Sequence, residues 1–170
     1  MIRLLSIFTV AAGLLLAGCN SNTAPGNDKE AQLDAPAKAV AQADAATALA
    51  GIATGSIQPE TMTLADIASI GGSNGRCQFR MTEVGYPSLV YGGARNAATV
   101  RLNAKLISLP SSGEGKYADG GLSVAVRPVD AAAKPGERRE AEMVIMLPGA
   151  KDELGYRGFS TCKAAGTTQS

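Results

Sequence analysis

The sequence predicts a mainly β fold: a small antiparallel β-barrel or sandwich with a short helix, preceded by a signal peptide and a flexible Ala-rich tether. Three observations predict it. The first eighteen residues join a charged start, an apolar run and a small-residue exit. Residues 19–56 are dominated by alanine and small polar side chains, which cannot fill a core. From about residue 76 onward, short apolar runs of period two alternate with Gly- and Pro-rich breaks.

Residues 1–18 read as a processing signal. Arg3 is the only charge before Asp28, and Leu4 to Ala17 are almost all apolar. The run falls short of the roughly 20 apolar residues a bilayer span needs, so a membrane-spanning helix is the weaker reading. Polar, proline-containing sequence follows at once, which makes a core helix weaker still.

The exit Leu16-Ala17-Gly18-Cys19 resembles the lipobox of bacterial lipoproteins. That resemblance implies cleavage before Cys19, a thioether from its sulfur to diacylglycerol, and acylation of the new amino group. The lipid partner would then be the membrane itself, held through acylated Cys19. One acyl chain gives only marginal binding, whereas two or three hold a protein stably. Asn20 stands where Asp would signal retention at the inner membrane, so the resemblance implies the periplasmic face of the outer membrane.

Residues 19–56 are expected to be a flexible or partly helical tether. Ala37 to Ala53 has high helix propensity and Pro36 suits a helix start, but Val40, Leu49 and Ile52 make no wide apolar stripe. Gly51 and Gly55 mark the expected end.

A β domain is expected over 57–164, with a disordered tail at 165–170. Thr63 and Asp66 have capping-box spacing, with Leu64, Ile67 and Ala68 on one helical face and Gly71–Gly72 ending the turn. In ATVRLNAKLISL one strand is expected, with Val100, Leu102, Ala104 and Leu106 facing one way and a phase shift at Ile107 and Leu109. LSVAVRPV alternates cleanly, EMVIML is apolar on both faces, and CQFRM, SLVYG and YRGFSTC are shorter strand candidates. The stretches Gly92–Gly93, Pro110 to Gly115, Gly120–Gly121 and Ala131 to Gly136 read as breaks. With no Trp and little Phe, the core must come from Val, Leu, Ile, Met and Ala, which makes a covalent brace more useful.

Cys77 and Cys162 lie near the two ends of the β block. Export would place them where disulfides persist, so a bridge is expected; two free buried thiols are the alternative. A bridge closing about 85 residues would contribute about 4.5 kcal/mol by loop entropy.

The chemistry the sequence lacks is informative. The chain has no His, which removes Ser-His-Asp and Cys-His catalysis and leaves too few ligands for zinc. No Gly-rich segment matches a nucleotide-binding fingerprint. No catalytic residue, cofactor or metal is expected, and the protein is not expected to be an enzyme. Without Arg3, 15 basic residues balance 15 acidic ones, which argues against a nucleic-acid partner. A periplasmic protein partner remains open.

Ser108 to Val126 resembles a segment of periplasmic inhibitors of C-type lysozyme, through Ser112, Gly113 and Tyr117 with Lys116 as the basic loop residue. The resemblance implies a small β-barrel whose loop, carrying Ser112, Lys116 and Tyr117, enters the lysozyme cleft. Here three residues separate Gly113 from Tyr117 where the pattern has two, and the following Trp is missing. GRCQFR, VRLNAKL and GYRGFSTC resemble uncharacterised proteobacterial lipoproteins, which implies lineage and an envelope location but no activity; the function expected is that of an envelope lipoprotein with a non-catalytic β domain, binding or structural.

Overall fold

The computed structural model describes residues 36–53, 57–129 and 136–163. In chain order they form β1 (Gln42–Ala43), α1 (Ala45–Leu49), α2 (Leu64–Ser69), β2 (Cys77–Arg80), β3 (Leu89–Gly92), β4 (Ala97–Leu102), β5 (Lys105–Gly113), β6 (Lys116–Asp119), β7 (Leu122–Pro128), β8 (Arg139–Met146) and β9 (Leu154–Cys162). Strands β2 to β9 each pair antiparallel with the next, and β9 returns to pair with β2. The result is a closed eight-stranded up-and-down barrel, an architecture that leaves no open sheet edge.

Closure follows from the alternation in the sequence. Ala98, Val100 and Leu102 of β4, Leu122 and Val124 of β7, and Ala141, Met143 and Ile145 of β8 all turn into one buried core. Eight strands enclose an interior just wide enough for side chains to fill. Phe79 and Leu89 complete that filling from β2 and β3. EMVIML is apolar on both faces because Val144, on the outer side of β8, is buried as well.

The single strand expected across ATVRLNAKLISL is instead a hairpin. Asn103 and Ala104 adopt φ of 48° and 50°, and Leu102 pairs with Lys105. Two successive residues with positive φ are the mark of a type I′ turn, whose twist matches that of paired strands. The turn accounts for the phase shift: Val100 lies opposite Ile107, and both face the interior. Pro110, expected in a break, lies inside β5 opposite Ala97, at the last position where β5 pairs with β4. Beyond it β5 turns to β6 through a bulge at Ser112, since Ser111 pairs with Tyr117 and Gly113 with Lys116.

A second small core lies outside the barrel. Val90 and Leu106 point outward and are covered by Met62, with Val40, Ile67 and Ile70 around them. The expected capping box holds α2: Thr63 accepts from the Asp66 amide at 3.1 Å, and Asp66 accepts from the Thr63 amide at 2.8 Å. Gly71 and Gly72, both with positive φ, end the turn. The buried face of the helix differs from expectation. Leu64 is 67 % exposed, and it is Asp66 that is buried on that helix.

The described part of the expected tether packs against the barrel. β1 pairs parallel with β5, and Asp44 caps α1 by accepting from Thr47 N at 2.8 Å. Ala45 and Ala48 join the main core, and Asn103 Nδ2 donates to the Ala48 carbonyl at 3.1 Å. α1 thus lies at the barrel end that holds the β4–β5 turn. The described residues from Pro36 onward belong to one compact unit. The expected signal peptide at 1–18, Cys19 and the tail at 165–170 lie outside the described residues.

Candidate functional site

The candidate site lies toward the barrel end opposite α1. Up-and-down connectivity puts the β3–β4 and β5–β6 turns there, together with the start of β2 and the end of β9. Cys77 and Cys162 are register partners on β2 and β9 and are disulfide-bonded. The bridge therefore staples the seam where the first and last barrel strands meet.

Arg76 precedes that bridge and is held on several sides. Its carbonyl accepts from Lys163 N at 3.2 Å, its amide donates to Ser73 O at 3.2 Å, and its Nη2 donates to Val90 O at 3.1 Å and Ala97 O at 3.4 Å. The guanidinium thus spans the two strands of the β3–β4 hairpin. Its stem lies against Gly93, where a Cβ would stand 2.7 Å from Arg76 Cγ. Gly93 also has a φ of +77°, so both the turn and the stem require glycine at that place.

Arg95 sits in the same turn, which Asn96 N closes by donating to Gly93 O at 2.9 Å. Arg76 and Arg95 line a cleft of about 500 Å³ together with Gln42, Asn74, Thr99 and Ser108. No carboxylate lines it, and among the described residues neither arginine is ion-paired. Burial lowers the Arg76 pKa from its ordinary value, and the like charge of Arg95 adds to that; the nearby Tyr117 pulls the other way. The arrangement sets one fixed guanidinium, that of Arg76, and the exposed Arg95 beside amide and hydroxyl groups. It offers no nucleophile paired with a base.

Tyr117 is buried and faces the barrel interior, edge-on to Tyr91 at 6.1 Å between ring centroids. The Tyr91 hydroxyl shares a hydrogen bond of 2.5 Å with Ser160 Oγ. Burial raises the Tyr117 pKa, and Tyr91 adds to it; the Gly92 backbone and Arg76 oppose. Ser112 and Lys116 are exposed, so the structure brings them to one hairpin but turns Tyr117 away from them into the core. Glu114 and Gly115 make the whole turn between β5 and β6. Among the described residues no group of three or more Cys, Asp or Glu could hold a metal ion.

The pairing of Arg76 with Arg95 escapes a reading along the chain. The first follows GGSNG and the second follows GGA, and the glycine pairs in both stretches read as turns or breaks. Only the hairpin brings them together. The family model that matches the chain, over residues 15–165, is described as Domain of unknown function (DUF6692). No curated protein and no solved structure matches the chain.

Proposed function

The chain belongs to that family, whose match takes in both Cys19 and the barrel, and from this premise we propose that it is a lipid-anchored protein of the bacterial envelope whose barrel binds rather than catalyses. The observation that carries the anchor is the apolar run ending in Leu16-Ala17-Gly18-Cys19. On this reading the anchor holds the barrel at the periplasmic face of the outer membrane. The barrel itself supports a binding or structural role. Its interior is filled by side chains, and an arginine-lined cleft opens on its outside.

Metabolic labelling with an acyl-chain analogue tests the anchor. The wild-type chain is expected to be labelled and to sediment with outer membranes on a density gradient. Cys19→Ser should lose both properties, and equal labelling of the variant would overturn the reading. Inhibition of C-type lysozyme is the second reading, supported by the β5–β6 hairpin, which carries Ser112 and Lys116 exposed near its turn. It is the weaker one, because the two-residue turn projects little and Tyr117 is built into the core.

A further inference from the structure

We propose that the Arg76–Arg95 cleft is a binding site for a phosphate-bearing anion. The inference deepens the binding part of the function above, rests on it, and does not need the lipid anchor.

Two like charges held in one concavity, one of them half-buried, are unfavourable unless a counter-charge joins them. Elsewhere three arginines meet carboxylates: Arg101 meets Asp66 and Glu60, Arg127 meets Glu153, and Arg138 meets Glu83. Arg76 and Arg95 instead share one cleft whose lining holds no carboxylate. The fold nonetheless fixes Arg76 through two carbonyls, a glycine contact and the neighbouring disulfide. A guanidinium fixed in this way loses little freedom when it binds, which favours affinity.

The chemistry of the lining points to phosphate. Guanidinium forks match phosphate oxygens through parallel N–H···O bonds. A phosphate dianion balances two arginines, whereas a carboxylate balances one. Asn74 and Gln42 offer amide donors, and Thr99 and Ser108 offer hydroxyls. The cleft, about 500 Å³, is larger than an inorganic ion needs and falls in the usual range for small-molecule sites. It therefore suits a phosphate ester, either a free metabolite or the headgroup of a phospholipid.

Calorimetric titration of the full chain with inorganic phosphate at fixed ionic strength tests the site. Saturable binding is expected, with acetate at least severalfold weaker. Arg95→Gln, at an exposed turn position, should weaken phosphate binding about tenfold, the equivalent of one lost charge-assisted contact. An unchanged thermal midpoint in that variant excludes misfolding as the cause. Absence of phosphate binding up to about 10 mM, equal affinity for acetate, or unaltered binding by Arg95→Gln would each overturn the proposal. Vesicles of phosphatidylglycerol, offered to the Cys19→Ser chain, distinguish the sources. Retention that depends on Arg95 assigns a lipid headgroup; no retention alongside phosphate binding assigns a free phosphate ester. Acyl labelling of wild-type Cys19 is read separately, so loss of the phosphate site and loss of the anchor cannot be confused.

Discussion

Arg101 Nη1 donates to Asp66 Oδ2 at 2.7 Å, and the Asp66 side chain has no exposed surface at all. The same carboxylate accepts from Val40 N and Thr63 N, each at 2.8 Å. One side chain on α2 therefore ties together the segment before β1, the start of its own helix and strand β4. Burial pushes its pKa up, but the hydrogen bonds from Thr63 and Val40, with Arg101, outweigh that and hold it below the ordinary carboxylate value.

Replacing this residue should be costly. Asp66→Ala removes one partner of a buried pair and leaves Arg101 beside two unmatched amides. A loss of about 3 kcal/mol is expected in urea unfolding. A loss within error of zero would show that the segment around Val40 does not depend on this contact.

The depressed pKa also sets a pH dependence. A carboxylate with a lower pKa in the folded state adds stability above its unfolded value, about 3.9, and that stability disappears as pH falls through the folded value. Unfolding midpoints between pH 6 and 2 should therefore fall below about pH 4. Asp66→Asn should flatten that fall, and an identical slope in both proteins would refute the assignment.

The seam disulfide gives a third expectation. Alkylation of the native, unreduced protein should leave Cys77 and Cys162 unmodified in an intact-mass measurement. The double variant Cys77→Ala with Cys162→Ala should lose about 2–5 kcal/mol of stability. Full alkylation of the unreduced fold would contradict the bridge.

The β4–β5 turn gives a fourth. Ala104 carries a φ of 50°, a conformation that is strained for alanine and free for glycine. Ala104→Gly creates the Asn-Gly pair that type I′ turns favour, and should raise stability by about 0.5–1 kcal/mol with an unchanged urea slope. A lower midpoint would mean that the turn has another geometry in solution.

The fifth concerns lysozyme. Purified protein at micromolar concentration should leave cell-wall lysis by C-type lysozyme unchanged. Tight inhibition that disappears in Lys116→Ala would promote the second functional reading to the first.

What could be read along the chain was whatever depended on local period and chemistry. The alternation at Leu122, Val124 and Val126 and the capping box at Thr63 and Asp66 have local signals, and the cysteine pairing followed from two thiols being left once Cys19 was set aside. The β4–β5 hairpin was hidden because Ala104 stands where glycine usually announces such a turn. Pro110 reads as a break, yet it stands in β5 at the point where that strand stops pairing with β4. Ala45 and Ala48 looked like tether because alanine offers little apolar area, but a small side chain is what allows α1 to approach Gly120 closely. Arg76 and Arg95 carry no motif at all; their relation is made by the turn between β3 and β4.

The nearest-neighbour wiring of the barrel has a consequence for how the chain comes together when it is delivered N-terminus first, whether by a ribosome or by a translocon. Each hairpin from β2 onward can form as soon as its second strand arrives. The first strand, however, keeps one edge unpaired until the last has emerged, since its other neighbour is β9. Cys77 likewise waits 85 residues for its partner. Oxidation of that pair is thus a timer for arrival of the whole barrel, and a chain stalled before residue 162 would present a bare strand edge and a free thiol side by side.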